Sequence, residues 1–414
     1  MKKIIFFDGG IETQNYFSFQ LAHSLKAMGH EICFFNLKKP LRDERGFFRF
    51  LEPGNTVLLC FNYHGFSGEY FFIDDDNGHF IWDDLKIPVY NIVVDHPYYY
   101  HVFLDDDIPS IYTHISIDRN HEAYMKRFFP EIRRGPFIPL AGTRFPGAVI
   151  KGLGGPDYDC FDTEEPEPPA LKPLEKRSMD VSFIGNYTIP VTFDKYINRL
   201  GDEYARFYWG IIDDMLAHPS RTLEEVAEEH ILLELPDTDE AGLKSVMPNL
   251  IFIDNYVRFT ERERAIRAIA ESGTKVHLFG GGWVNFPCDR PENLVIGDPL
   301  DSAECLEVLT DSKISLNVMP WFKDGAHDRI FSTMLNGAVS LTDSSVYLDE
   351  ILRDGEDCLK YDLSAMDRLP EIVSLALSRP DELQETADRG RLKAERGHTW
   401  GQRALTLHEL IEND

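Results

Sequence analysis

Short apolar runs alternate with helical segments in two successive blocks of this chain, and this alternation limits how it can fold more than any other feature. In the first block, runs such as KIIFF and TVLLC end at glycine or polar residues, and helical patterns separate them. The alternation starts again at DVSFIG and continues almost to the end of the sequence. Because helices that join parallel strands cover both faces of a sheet, the pattern predicts an α/β fold of two Rossmann-like, doubly wound domains.

A segment rich in proline, glycine and acidic residues separates the two blocks and predicts a linker over residues 151–178. The predicted N-terminal domain spans residues 1–150, with FIPLAG at 137–142 as its last short strand, and the predicted C-terminal domain spans residues 179–395. Residues 396–414 are predicted to form a terminal helix that packs back toward the N-terminal domain. Ligands of open α/β sheets bind beyond the carboxyl ends of the strands, so we expect the two domains to face a ligand-binding cleft.

The chain of 414 residues carries 42 basic and 70 acidic residues, which gives a formal net charge of -28. A surface that binds nucleic acid needs a basic face, so this charge argues against a nucleic-acid partner. The six cysteines are scattered without the spacing of a zinc site, which favours a reducing compartment. No apolar run approaches transmembrane length, and we therefore expect a cytoplasmic protein without a transmembrane segment.

Asp95 and His96 follow the apolar run NIVV, and Pro97 prevents its continuation. A neutral histidine beside a carboxylate can act as a general base while the carboxylate holds its tautomer, so we predict that this pair is catalytic. The alternative is a polar turn with a hydrogen-bonded histidine. Asp118 is predicted instead to cap a helix. The aspartate triplets at 74–76 and 105–107 lie in polar loops without a second ligand cluster, so we predict no metal site.

Two glycine-containing loops follow predicted strands of the second block. Gly185 and Asn186 end the run VSFI, and Gly281, Gly282 and Trp283 come shortly after VHLF. Without side chains, the backbone of such loops can approach a diphosphate and offer N–H groups to it. The spacing is neither a dinucleotide fingerprint nor a P-loop, and simple turns are the alternative.

The stretch GAHDRIFSTMLNGAVSLT predicts a short helix with one apolar face, followed by a buried strand. Asp328 is the predicted N-cap, and Asn336 with Gly337 is the predicted stop. His327 and Arg329 would then lie at the helix N-terminus, where free N–H groups and the helix dipole favour an anion. The alternative is a capped helix with solvated charges.

The second block resembles the donor half of GT-B glycosyltransferases, most closely the CgeB-like, spore-maturation-protein-like enzymes of group-1 type. The motifs that carry the resemblance, over about residues 179–414, are DVSFIGNY, KVHLFGGGW, LVIGDPL, the long stretch from ISLNVMPWFKDGAHDRIF to YLDEIL, and HTWGQRALTLHEL. The resemblance implies a nucleoside-diphosphate (NDP) sugar bound mainly by the C-terminal domain, with no catalytic metal and no other cofactor. It also implies a Glu-x7-Glu motif, for which this chain has Asp324 and Ser332. The second glutamate usually binds the ribose, so Ser332 departs from the pattern.

Together these features lead us to predict a glycosyltransferase that moves a sugar from an NDP-sugar to a glycan, a cell-surface precursor or a protein. The nucleotide-sugar-binding residues that we predict from the loops, the helix and the resemblance are Gly185, Asn186, Gly281, Gly282, Trp283, His327, Asp328, Arg329 and Ser332. A nucleotide-sugar epimerase of the same fold and a non-catalytic module that binds nucleotide sugars are the alternatives.

Overall fold

A computed structural model describes residues 1–39, 46–73, 78–106, 108–151 and 162–413, which form two compact units. Unit 1 comprises Met1–Pro169, Asp301–Ala303 and Gly397–Asp414, and unit 2 comprises Ala170–Leu300 and Glu304–Arg396. The first acidic triplet, part of the second triplet and residues 152–161 of the predicted linker lie outside the described residues. No helix in the described part of the chain is both long enough and apolar enough to cross a membrane.

Unit 1 is built on a sheet of five parallel strands in the order β2-β1-β3-β4-β5. The strands are β1 (Lys3–Asp8), β2 (Glu31–Asn36), β3 (Thr56–Phe61), β4 (Val89–Val93) and β5 (Tyr112–Ser116). Helices α1 (Glu12–Ala27), α2 (Ile81–Asp84) and α3 (His101–Asp106) follow β1, β3 and β4, and α4 (Arg119–Phe128) follows β5. Every residue of β3, β4 and β5 is buried, as expected for strands covered on both faces. A short antiparallel pair, β6 (Val149–Lys151) and β7 (Asp162–Glu164), completes the strands of unit 1.

Unit 2 contains a parallel sheet of six strands in the order β10-β9-β8-β11-β12-β13. The strands are β8 (Met179–Ile184), β9 (Val276–Phe279), β10 (Leu294–Ile296), β11 (Ser312–Asn317), β12 (Val339–Thr342) and β13 (Leu359–Lys360). The chain moves outward from β8 to β10 and then returns to β11 on the other side of β8. The strand order therefore reverses between β8 and β11, which is the switch point where doubly wound sheets bind ligands. The predicted α/β fold with two doubly wound sheets is confirmed.

Most of the remaining helices belong to unit 2. They are α5 (Asp194–Ile197), α6 (Asp202–Ala217), α7 (Leu223–Glu234), α8 (Glu240–Val246), α9 (Ile251–Glu271), α10 (Ser302–Thr310), α11 (Asp328–Leu335), α12 (Val346–Ile351), α13 (Leu369–Leu377) and α14 (Pro380–Gly397). Helix α9 packs Ala265, Ile266 and Ile269 into the main apolar core of the unit, against residues of β8, β9 and β11. This packing fixes the position of the turns of α9 that precede Ala265.

The terminal helix α15 (Trp400–Asn413) lies in unit 1, where it packs on α1. The Trp400 ring lies 4.8 Å from that of Phe17, between ring centroids, and the buried Arg403 donates hydrogen bonds to the carbonyl oxygens of Pro139 (2.6 Å) and Leu140 (3.1 Å). These carbonyls belong to FIPLAG, which is irregular in the structure, so its prediction as a strand is wrong. The Arg403 guanidinium thus donates to two carbonyl oxygens that would accept hydrogen bonds from a neighbouring strand if this segment were itself a strand.

A pair of histidines links α15 to the β1 side of unit 1. His30 Nδ1 accepts the backbone N–H of Lys2 (3.1 Å), and His30 Nε2 lies 2.8 Å from His408 Nδ1. Because Nδ1 is already an acceptor, neutral His30 carries its proton on Nε2 and donates it to His408. Burial and the neighbouring His408 lower the pKa of His30. The carboxylate of Glu412 completes a group of possible metal ligands, but His30 Nε2 must lose its proton to bind a metal.

We expect the contribution of this histidine pair to stability to be lost in acid. A histidine whose pKa is lowered by folding stabilises the fold above its unfolded-state pKa of about 6.5, and protonation below that pH opposes folding. The hydrogen bond itself is worth about 1 kcal/mol. Urea unfolding at pH 7.5 and 5.5 should therefore show a smaller loss of stability on acidification in His30→Gln than in wild type. Equal losses of stability in wild type and His30→Gln would show that protonation of His30 is not what destabilises the fold in acid.

Candidate functional site

The loops after β8 and β9 are locked together at the carboxyl edge of the unit 2 sheet. The Asn186 side-chain oxygen accepts the N–H of Gly281 (2.8 Å), and the Trp283 indole N–H donates to the Gly185 carbonyl (2.9 Å). Trp283 is only 1% exposed and stacks on Tyr187, with ring centroids 5.1 Å apart. The structure therefore brings these predicted site residues together, but the Asn186 side-chain oxygen and the Trp283 indole N–H hold the two loops to each other.

Glycine is required in the second loop because the two backbones nearly touch. Gly282 has φ +93°, and a Cβ atom placed there would lie 1.9 Å from the Tyr187 carbonyl oxygen. Gly280 meets the Gly185 carbonyl in the same way, at 2.5 Å. At Gly281 the nearest atom to an added Cβ is the Asn186 side-chain oxygen at 3.5 Å, an ordinary contact.

Helix α11 begins as predicted, but its cap is a different residue. His327 is the N-cap, and its Nδ1 accepts the backbone N–H of Arg329 (3.3 Å), whereas Asp328 is the first helical residue. The prediction that Asp328 caps the helix is therefore wrong by one position, because an imidazole nitrogen takes the role of the expected carboxylate. The predicted stop is confirmed, since the helix ends at Leu335 and Gly337 has φ +70°.

Two guanidinium groups lie on one phenyl ring at the carboxyl end of β8. Those of Arg329 and Arg262 each lie 5.3 Å from the ring centroid of Phe183. Arg329 donates to the side-chain oxygen of Asn317 (3.3 Å), at the end of β11, and Arg262 donates to the backbone carbonyl of Asn186. Arg262 is only 7% exposed, and its Nε is buried without a hydrogen-bond partner among the described residues.

A third arginine and an indole extend this cluster along α9. The Arg258 guanidinium lies 4.1 Å from the Trp321 ring centroid and bonds Asp254 (2.9 Å), and Arg262 lies 6.0 Å from the same ring. We refer to Arg258, Arg262 and Arg329 as the arginine cluster.

The arginine cluster is an electrostatically strained arrangement. Burial and the neighbouring Arg329 and Arg258 lower the pKa of Arg262 far below its ordinary value, and burial lowers the pKa of Arg329. Within the described residues, no carboxylate forms a salt bridge with Arg262 or Arg329. A bound anion would remove this imbalance, since opposite charge favours the charged form of each arginine. The sheet switch point and the N-terminus of α11 lie at the same edge and favour an anion as well.

His327 and Asp328 respond to the same environment. Burial, followed by the charges of Arg329, Arg262 and Arg258, lowers the pKa of His327 far below its ordinary value. Burial raises the pKa of Asp328 to about 6, although Arg329 opposes the shift. His327 is therefore neutral at pH 7. Its Nδ1 lies between the Arg329 backbone N–H (3.3 Å) and Asp328 Oδ1 (3.2 Å).

Ser332 lies inside α11 and is 6% exposed. Its backbone carbonyl accepts bonds from Asn336. Its burial gives no direct support to a ribose contact, and the role predicted for Ser332 stays a prediction.

In unit 1, Asp95 and His96 follow β4 as predicted, but their hydrogen bonds go to other residues. Asp95 Oδ2 accepts bonds from the Asn62 amide (2.9 Å) and the Tyr100 hydroxyl (2.8 Å). His96 Nδ1 accepts the backbone N–H of Tyr98 (3.3 Å). The Tyr98 backbone therefore sets the His96 tautomer, and it places the proton of neutral His96 on Nε2. Asp118 caps α4 through the N–H of Asn120 (2.7 Å), as predicted.

Sequence reasoning missed Arg258 and Arg262. They lie in YVRFTERERAIRAIA, which reads as an ordinary charged helix. Arg262 nevertheless has the helical spacing of the buried Ala265, Ile266 and Ile269, so it occupies a core-facing position. The sequence did contain a signal for Arg262. It is a charged residue on the apolar face of a helix, and that helix leads directly into a strand that ends in glycines.

Residues 261–409, a little over a third of the chain, match a protein family described as glycosyl transferase-like. No curated protein matches the chain by sequence. Among solved structures, the chain is similar to an alpha-glucosyltransferase in complex with UDP-glucose and DNA containing an abasic site, with TM-score 0.53, 11% identity and coverage of 100% of this chain and 98% of the other. It is also similar to HepE of Anabaena in complex with UDP-glucose, with TM-score 0.51, 9% identity and coverage of 100% of both chains. A third similar structure is a sucrose-phosphate synthase of Thermosynechococcus elongatus, with TM-score 0.50, 12% identity and coverage of 100% and 99%.

The chain has the GT-B fold. The identities of 9–12% limit this likeness to the fold, and the family match adds that the carboxyl-terminal part of the chain resembles glycosyltransferases in sequence. The matched span begins at Glu261 and ends at residue 409, and it therefore contains Arg262, the glycine loop after β9, α11 and most of the terminal helix. The finer CgeB-like subgroup stays a prediction.

The locked loops give a direct test of the geometry at this edge. Gly282→Ala should destabilise the protein by about 2 kcal/mol or more, because the new methyl group collides with a carbonyl and the residue has a strained φ. Gly281→Ala, one residue earlier, should cost less than about 1 kcal/mol. Urea unfolding of both variants measures the difference, and equal stabilities would contradict the described approach of the loops.

Proposed function

We propose that this protein is a glycosyltransferase whose unit 2 binds the diphosphate of an NDP-sugar at the arginine cluster. The observation that carries the proposal is the pair of guanidinium groups on Phe183, those of the buried Arg262 and the half-buried Arg329, which form no salt bridge with a carboxylate within the described part of the chain. Holding two like charges together, one of them buried, without an opposite charge destabilises the fold, and a ligand that supplies the opposite charge would offset this. The family match and the UDP-glucose complexes of two similar structures make a nucleotide sugar the natural candidate.

In the proposed reaction, the bond between the sugar C1 and the diphosphate breaks and negative charge builds on the leaving NDP. Arg262 and Arg329 offer planar donor groups that match phosphate oxygens, and the first N–H groups of α11 add to them. Donors that are already fixed in place stabilise this charge most as it develops in the transition state. We therefore propose a reaction in which these side chains supply the positive charge, without a catalytic metal or a further cofactor.

We further propose that the acceptor is a hydroxyl-bearing molecule, namely a glycan, a cell-surface precursor or a protein, and that the transferred sugar is a hexose. We also propose that the protein belongs to the CgeB-like subgroup, which its sequence motifs resemble. Cytoplasmic localisation, expected from the scattered cysteines, stays a prediction.

An NDP-sugar epimerase and a non-catalytic binding module remain alternatives, since both would use the same arginine cluster. Incubation with a panel of NDP-sugars separates them. Release of NDP with sugar transfer or slow hydrolysis supports the transferase. Inversion of the sugar at C2 would instead identify an epimerase, and binding without turnover a module.

The arginine cluster gives the main prediction. Arg329→Ala and Arg262→Ala should each lower kcat/KM for the NDP-sugar by about 100-fold, a loss of roughly 2.7 kcal/mol. Lysine at position 329 should rescue activity only in part, because it keeps the charge and loses the planar fork. Calorimetry with NDP and a melting curve would accompany the kinetics.

Arg353→Ala is the matched control, because it also removes one positive charge from unit 2. The Arg353 side chain is 76% exposed and forms its salt bridge, among the described residues, with the exposed Glu356. It should bind NDP and turn over like wild type. If Arg329→Ala and Arg262→Ala also behave like wild type, α11 is only a capped helix and the proposal fails.

Substitution of the two predicted catalytic residues of unit 1, Asp95 and His96, should lower kcat to different extents. The described tautomer leaves neutral His96 with a proton on Nε2, so His96 is a poor base, whereas the Asp95 carboxylate can accept a proton. Asp95→Asn should lower kcat by about 100-fold or more, and His96→Ala by less than about 10-fold, both with unchanged affinity for NDP. Turnover by Asp95→Asn at the wild-type rate would assign this residue to structure and would fit a retaining reaction without a protein base.

A further inference from the structure

The carboxylate of Asp95 is held by one of its two oxygens. Oδ2 accepts hydrogen bonds from the Asn62 amide and the Tyr100 hydroxyl, which follow β3 and β4 respectively. Among the described residues, no donor reaches Oδ1. Two donors on the same oxygen fix both the position and the rotation of the carboxylate, so that Oδ1 is the oxygen left for a ligand.

The orientation of the Asn62 amide is itself determined by the backbone. Its Oδ1 accepts the N–H of Val94 (2.9 Å), so its NH₂ group must face Asp95. Asn62 has φ +44°, and the next residue, Tyr63, has φ +67°. A bulky residue such as Tyr63 rarely adopts this conformation, and it persists only where the surroundings impose it.

Those surroundings are on the neighbouring strand β4. The buried Asn91 of β4 accepts the N–H of Tyr63 (3.1 Å), and the N–H of Asn62 donates to the carbonyl of Ile92 (3.2 Å). A relaxed turn would carry the Asn62 amide away from the end of β4. The unusual backbone of Asn62 and Tyr63 therefore places the Asn62 amide, a hydrogen-bond donor, beside Asp95.

Tyr100 supplies the second donor from the turn that follows Pro97. Its ring packs on that of Tyr63, with centroids 4.8 Å apart, so the same strained residue supports both donors. Burial and the neighbouring carboxylate of Asp95 raise the pKa of Tyr100 far above its ordinary value. The Tyr100 hydroxyl therefore stays protonated and acts as a donor at every physiological pH.

We propose that Asn62 and Tyr100 are positioning residues, which hold Asp95 so that Oδ1 receives the hydroxyl group of the sugar acceptor. The proposal rests on the glycosyltransferase function proposed above. In the step that it serves, the acceptor hydroxyl gives its proton to Asp95 Oδ1 while its oxygen bonds to the sugar C1. The bond between C1 and the diphosphate breaks, and its electron pair leaves with the NDP.

Kinetics of Asn62→Gly and Tyr100→Phe test the proposal. Glycine adopts the φ of Asn62 without strain, so this variant removes the amide and keeps the turn. Each substitution should lower kcat by about 10-fold and leave the Kd for NDP unchanged, because unit 2 binds the nucleotide. Combined with Asp95→Asn, neither should cause a further loss beyond about twofold, since both act through that carboxylate.

Tyr99→Phe is the matched control, because it removes a hydroxyl from the same turn one residue away. It should keep kcat within about twofold of wild type. Full additivity of Asn62→Gly or Tyr100→Phe with Asp95→Asn would overturn the positioning role, as would an equal loss in Tyr99→Phe.

Crystal structures of Asn62→Gly and Tyr100→Phe separate a failure of this proposal from a failure of the proposed function. Rotation of the Asp95 carboxylate in either variant supports positioning, and an unmoved carboxylate in both overturns it, whatever the wild type does with NDP-sugars. A wild type that binds no NDP and transfers no sugar would overturn the glycosyltransferase function and, with it, the role of Oδ1 toward an acceptor.

Discussion

The packing of two like charges against one phenyl ring is the constraint around which the unit 2 site is arranged. Arg262 comes from a helix anchored in the core, and Arg329 comes from the first turn of α11, so neither can move away without disturbing its own element. Phe183 gives both guanidinium groups an aromatic surface, and the carbonyl of Asn186 and the amide of Asn317 accept hydrogen bonds from them. These neutral partners satisfy donors without cancelling charge, so the positive potential remains for a ligand.

The sheet order explains why such different segments meet. In both units the carboxyl ends of parallel strands lie along one edge, and each unit has its polar residues there. In unit 2 the reversal between β8 and β11 brings the first loop of the unit beside Asn317, about 130 residues later in sequence. In unit 1 the neighbouring β3 and β4 bring Asn62 beside Asp95. In unit 2, glycines allow the backbones of two loops to come close together. In unit 1, the unusual backbone of Asn62 and Tyr63 places a side chain beside Asp95.

The sequence predicted the features that depend on local pattern. The strands before Gly185 and Gly280, the helix that stops at Asn336 and the cap at Asp118 follow from apolar runs, stop signals and capping preferences, and the structure has them. Features that depend on tertiary contacts were not predictable in this way. FIPLAG has the composition of a strand, but Arg403 takes its carbonyls, and no local rule shows that an arginine more than 260 residues away will do so. In the sequence, Arg262 resembles a solvated charge on a helix. Only the packing of α9 against the core shows that it is buried.

The N-cap of α11 departs from the usual capping preference, since it is His327 and not an aspartate, and this choice affects the charge at the site. Aspartate would be the ordinary N-cap, but it would place a full negative charge at the helix N-terminus, beside the groups that attract an anion. His327 accepts the same backbone N–H with a neutral nitrogen, and burial together with the three arginines keeps it neutral by lowering its pKa. Asp328, one position later, has a carboxyl whose pKa burial raises to about 6, so its negative charge is less stable there than in water, although the group is still mostly ionised at pH 7. The cap residue itself therefore adds no negative charge to the helix N-terminus, and the charge of Asp328 stands beside Arg329, whose pKa it raises against the effect of burial.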